Sequence, residues 1–383
     1  MKTIRPFGTR SLILILAPAL GISVGFASPA FAQAFREVPV IVNPDGKVTD
    51  LGTLGGSFSN GYGINDSGQV VGESATTRGE RHAFITGPDG MGMTDLGTLG
   101  GSFSAAYGIN DSGQVVGESA TTRGERHAFI TGPGGMGMTD LGTLGGSSSS
   151  ATGINDSGQV VGWYRTTGDF GYHAFIIGPG GMGMTDLGTL GGSSSSASGI
   201  NDSGQVVGWS YTTGGEGHAF ITGPDGMGMT DLGTLGGNFS VASGINDSGQ
   251  VAGYSATTGG ETHAFITGPG GMGMTDLGTL GGSYSYASGI NDSGQVVGWS
   301  DATGGARHAF ITGPDGMGMT DLTSFADLPD RVYDALGINN QGQVIALSVP
   351  EPASYALMLA GLGLVSFMAR GKKLPGNNQS ALS

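Results

Sequence analysis

One phrase, Gly-Ile-Asn-Asp-Ser-Gly-Gln-Val, begins at Gly63 and returns at Gly108, Gly153, Gly199, Gly244 and Gly289, with a looser copy, Gly-Ile-Asn-Asn-Gln-Gly-Gln-Val, at Gly337. Its Asn falls at 65, 110, 155, 201, 246, 291 and 339, a spacing of 45 residues with one of 46 and a last of 48. A period of about 40–45 residues is the length of one four-stranded propeller blade, and stacked repeats form one body whatever the chain length. Each of the first six copies is followed by a His-Ala-Phe run and then by Thr-Asp-Leu. The seventh is followed by neither. The missing half stands at the other end of the chain, where residues 38–56 repeat the turn and final strand of a unit with no Gly-Ile-Asn half before them.

That complementarity predicts an all-β fold: a seven-bladed β-propeller whose last blade takes two strands from each end. Such closure removes exposed sheet edges. Within a unit, Tyr-Gly-Ile-Asn and Gln-Val-Val-Gly-Glu-Ser read as strands around the turn Asp66-Ser67-Gly68. His-Ala-Phe-Ile-Thr reads as a third strand. Gly87-Pro88-Asp89-Gly90 reads as a turn, and Met-Gly-Met-Thr-Asp-Leu as a fourth strand. The stretch Gly-Thr-Leu-Gly-Gly-Ser-Phe-Ser-Asn reads as the long crossing to the next unit. Glycine is 79 of 383 residues and recurs at fixed places, which argues for turns and close packing and against disorder.

Charge narrows the function. Residues 33–349 hold 29 acidic against 9 basic side chains, a net charge of −20. Nucleic-acid binding needs basic patches to neutralise phosphates, so that class is set aside, and a direct grip on anionic lipid with it. A ligand of such a body is expected to be neutral or cationic. There is no cysteine, so disulfides and thiolate metal sites are excluded.

The ends read as addresses. Lys2, Arg5 and Arg10 precede an apolar run from Leu12 to Ile22, and small residues follow, with Ala30 and Ala32 at −3 and −1 of a cleavage point. This is the pattern of a secretory signal peptide, residues 1–32. Near the other end, Val349-Pro350-Glu351-Pro352 leads into an apolar stretch from Ala353 to Ala369, then Arg370, Lys372 and Lys373. This predominantly apolar stretch of seventeen residues reaches the lower limit for a membrane helix, and basic residues beyond fit a cytoplasmic stop.

This tripartite end resembles the PEP-CTERM sorting signal of Gram-negative bacteria. The resemblance implies recognition at Pro350, Glu351 and Pro352 by an exosortase-type enzyme, transient inner-membrane anchoring, and release to the cell surface or extracellular matrix. The body, with its six His-Ala-Phe runs, is similar to the HAF-repeat family of extracellular proteins. That family often carries Trp shortly after the Phe, where this chain has Thr or Ile. The divisions expected are 1–32 signal peptide, 33–348 propeller, 349–373 sorting signal with its apolar helix, and 374–383 polar tail.

Few residues carry pointed chemistry. The six His, at 82, 127, 173, 218, 263 and 308, share one repeat position and are expected to hydrogen-bond the Asp of Thr-Asp-Leu rather than to hold metal. Met91-Gly92-Met93 and its equivalents suit copper(I) in principle, but read better as core filler. Asn65-Asp66-Ser67-Gly68 loosely resembles a calcium loop, yet one carboxylate per turn is few for a cation that wants six to eight oxygens. No nucleophile elbow or paired carboxylates stand out, so no cofactor and no catalysis are expected. Scattered Arg165, Asp169 and Asp301 are what a matrix polysaccharide lyase or hydrolase would have to use. The repeats differ in two stretches, after Leu-Gly-Gly and after the second strand, which the meander places at one end. Loops on a rigid scaffold carry binding. Trp163, Trp209, Tyr254 and Trp299 share one repeat position there, with Glu73 and Glu118 in two other repeats. These aromatics are the candidate contacts to polysaccharide or to a surface protein.

Overall fold

A computed structural model describes residues 38–167, 171–325 and 331–349. In the first full repeat, strands Gly55–Ile64, Val70–Thr76, Arg81–Thr86 and Met93–Asp95 pair antiparallel in chain order. The pattern recurs through the sixth repeat. Repeats one and two share one eight-stranded sheet, joined by a parallel bridge between Arg81 and Phe103. A further four-stranded sheet draws Val38–Val42 and Val48–Asp50 from one end of the chain and Arg331–Ile338 and Val344–Val349 from the other. Val38 pairs with Ser348 and Val42 with Val344, so the complementary halves read from the sequence do meet.

The strands are apolar on both faces, which is why the second reads Val-Val rather than alternating. Side chains of successive strand residues point to opposite faces. Val70 enters the core shared with Ile41, Leu51 and Ile345 of the closing sheet, and Val71 the core shared with Val115 and Phe129 of the next repeat. The Phe of each His-Ala-Phe run, 84 to 310, is fully buried at these junctions. Truncating one to Ala removes about 3–5 kcal/mol.

The turn after each third strand plugs the neighbouring sheet. A Cβ placed on Gly135 would lie 2.8 Å from Leu96 and 3.0 Å from Ile85. The residue there also has φ +75°, so glycine is required on both counts. The closing sheet breaks this pattern. Its turn, residues 43–47, is one residue shorter than residues 87–92. Beside it lies a cavity of about 460 Å³ lined by Pro44, Ile311, Leu322 and Phe325. Ile311 is left half-buried, whereas its counterparts Ile85, Ile130, Ile176, Ile221 and Ile266 are 4–7% exposed.

Several sequence expectations need correction. The supposed long crossing is only four residues, Leu96–Leu99, because the first strand of the next repeat already begins at Gly100. The stretch Ser-Phe-Ser-Asn is therefore strand, kinked by register shifts at Gly55/Ser59 and Gly61/Gly63. Its second Ser is constant: Ser104 is fully buried, accepts the Ala83 N–H of the preceding repeat (2.8 Å) and donates to the Gly97 carbonyl (2.5 Å). Of each Met pair only the second reaches a core. Met93 and Met138 pack against buried clusters, while Met91, Met136, Met182, Met227, Met272 and Met317 are 67–77% exposed. Ala30, Ala32, Asp169, Pro350, Glu351, Pro352 and the apolar stretch 353–369 lie outside the described residues. Among the described residues no helix is long and apolar enough to cross a membrane.

Candidate functional site

The two ends of the body differ in chemistry. At one end, the turn after each first strand closes a circuit of amides. Asn65 accepts from Ser67 Oγ and Gln69 N–H within its own turn (both 2.9 Å), and its Nδ2 donates to the Asn110 carbonyl of the next repeat (3.1 Å). Asn110, Asn155, Asn201, Asn246 and Asn291 repeat the link, and Asn339 closes it by donating to the Asn65 carbonyl (2.9 Å). Beside the Asn of the first five repeats, the Asp N–H donates to the Asp carboxylate of the next repeat, as Asp66 does to Asp111 (2.9 Å). Asn340 takes the seventh place and donates to both Asp292 (2.6 Å) and Asp66 (3.1 Å). Burial, and then the neighbouring carboxylates, push the Asp111 and Asp247 carboxyls up, against the N–H bonds they accept. The Asn and Ser oxygens of the turn resembling a calcium loop are thus engaged in holding the turn and its neighbour.

The other end carries the sequence variation. Each His donates from Nδ1 to the carboxylate of the Asp thirteen residues on, at 2.6–3.0 Å, as expected from the sequence. For Asp186, burial opposes ionisation, but the bonds from His173 and the Gly188 N–H outweigh it and hold the carboxyl low. The repeat slot assigned to aromatic contacts lies in the second strand. In repeats one and two it holds Glu73 and Glu118, both buried. Glu118 is neutralised by Arg126 and accepts from the Tyr107 hydroxyl (3.3 Å). Glu73 has the same partners in Arg81 (3.5 Å) and Tyr62 (3.2 Å). Arg81 and Arg126 both approach the Phe103 ring, at 5.4 and 4.2 Å. Burial and then Glu73 push the Tyr62 phenol up to about 12, and Tyr107 is raised by burial and then Glu118, so both remain donors at neutral pH.

The structure separates the four aromatic candidates. Trp163 faces a groove of about 630 Å³ between repeats two and three, lined also by Tyr107, Glu118, Arg126, Ser150 and Arg165. Tyr172 meets its ring edge-on at 5.0 Å. Trp209 has a similar edge contact with Tyr211 at 5.3 Å. Tyr254 stacks obliquely on Tyr286 (4.6 Å), and Tyr286 lies parallel to Trp299 (4.5 Å). The Arg307 guanidinium lies 3.9 Å from the same Trp299 ring centre and bonds to Asp334 (2.7 Å). Tyr286 and Arg307 stand on the two strands flanking that of Trp299 in the same sheet, so the Trp299 ring is already engaged by its cross-strand neighbours. Asp301 pairs across the sheet with Arg307, away from the groove. Trp163 and Arg165 were legible as candidates in the sequence, whereas Tyr107 and Arg126 were not, and Glu118 was visible only as an occupant of the slot. Glu118 replacing an aromatic in the repeat slot was the signal for them.

Residues 348–373 match the PEP-CTERM protein-sorting motif. The motif implies export to the cell envelope or surface and processing by an exosortase. No curated protein sequence matches the chain. Among solved structures, the chain is similar to the β-propeller domain of the Trilobed protease from Pyrococcus furiosus, described by an open velcro topology. Identity there is 11%, covering 76% of this chain and 88% of that one with a TM-score of 0.54. It is also similar to a prolyl endopeptidase at 10% identity and a TM-score of 0.55, covering 73% of this chain and 44% of that one. At such identities the likeness concerns the fold alone: repeated four-stranded sheets arranged as in a propeller.

Proposed function

We propose that this chain is an exported, seven-bladed propeller of the HAF-repeat kind that acts without catalysis at the cell surface or in the extracellular matrix, binding polysaccharide through its variable end. The closed Asn circuit and the shared closing sheet support the blade count. In this reading residues 1–32 are removed as a signal peptide, 353–369 anchor the chain transiently in the inner membrane, and 33–348 are the released body. Calcium and other cofactors have no part in it.

The observation that carries the binding reading is the groove at Trp163. It combines an aromatic edge, hydroxyls and guanidinium donors at the end where repeats diverge, the usual mixture of apolar lining and a few placed polar groups. A surface protein is the alternative occupant. The test is a glycan-array screen with secreted body, followed by Trp163→Ala, Arg165→Ala and Trp299→Ala. Trp163→Ala is expected to weaken binding roughly tenfold, about 1.4 kcal/mol, with little change in melting temperature. Trp299→Ala is expected to lower stability instead. Binding that survives Trp163→Ala, or no glycan bound at all, would overturn the reading.

A further inference from the structure

Strand direction fixes where the chain leaves the body. Val344–Val349 runs away from the Asn circuit, and Val38 pairs with Ser348 at the far end of that strand. Both Val38 and Val349 therefore stand at the variable end, the end that carries the Trp163 groove. The sorting motif begins within this last strand, at residue 348. Only Pro350, Glu351 and Pro352 separate Val349 from the apolar stretch that starts at Ala353.

We infer that, before exosortase cleavage, the body is held with its variable end against the bilayer, so that the groove is shaded by the membrane and opens only on release. The geometry is one of reach. Four Cα steps from Val349 to Ala353 span at most ~14 Å. The unbroken seven-residue strand Val70–Thr76 is alone about 23 Å long, so the two ends of the body lie farther apart than that reach. So short a tether cannot bring the opposite end to the surface.

The consequence for binding rests on the groove and on the anchoring proposed above, but the orientation can be read without any sugar. The chain has no cysteine, so single labels are site-specific. Full-length protein carrying Thr122→Cys at the variable end, or Met136→Cys at the other, would be fluorescently labelled. Each would be reconstituted in phosphatidylglycerol-containing vesicles with a nitroxide headgroup quencher. The label at 122 is expected to be quenched several-fold more than that at 136. Equal or reversed quenching would overturn the inference. Inserting about twenty Gly and Ser residues between Val349 and Pro350, ~25 Å of free reach, should abolish the difference. Persistence of the bias in that variant would refute the tether as its cause. Failure of the glycan screen would leave both readouts intact.

Discussion

Asp111 sits between two like charges, Asp66 and Asp156, and still accepts the Asp66 N–H. Burial and those neighbours raise its carboxyl above the usual range, so the folded protein binds that proton more tightly than the unfolded chain. Stability from this source is present below about pH 4 and is lost as pH rises through the folded value. Asn340 shows that an amide serves the ring equally well, accepting one N–H and donating to both flanking carboxylates. Asp111→Asn should therefore raise the melting temperature at pH 7 in low salt, with the gain shrinking in high salt and vanishing near pH 3. Thermal melts across pH test this; a gain that persists at pH 3 would mean that charge is not the cause. The Asn and Asp were visible in the sequence only as turn residues. Their joining into a ring depends on seven turns meeting at one axis, which no single repeat reveals.

At the level of elements, the strand content was legible because apolar runs recur in phase with Gly-rich turns, but its limits were not. Ser104 sits in a stretch that varies around it, and its role as a bridge between repeats appears only when two sheets are adjacent. Glu118 was equally opaque, since its partners Tyr107 and Arg126 come from the strands on either side of it. The closing turn offers a test of the plug. Replacing residues 43–47 with the six-residue turn Gly-Pro-Asp-Gly-Met-Gly should cover Ile311 and add about 1 kcal/mol, read as a higher urea midpoint. In that variant Ile311→Ala should cost more than it does in the native chain. An equal cost in both would show that the longer turn does not reach the cavity.

For the whole molecule, the sequence made the pairing of its ends legible because a half-repeat is useless alone. It left the division of labour between the two ends of the body to the structure, since strand direction decides which loops share an end. The Asn circuit carries one more implication. Each link is the same bond, handed from repeat to repeat until Asn339 returns it to Asn65, so the body has no structural beginning. The chain could start elsewhere. With Val38 and Val349 joined by a short Gly-rich linker and a new opening placed at the exposed turn around Gly124, a circular permutant should fold to the same ring and unfold in one cooperative step. Its melting temperature should stay near that of the native body. A permutant that aggregates, or melts in two stages, would locate the integrity of the molecule in its present closing sheet rather than in the circle.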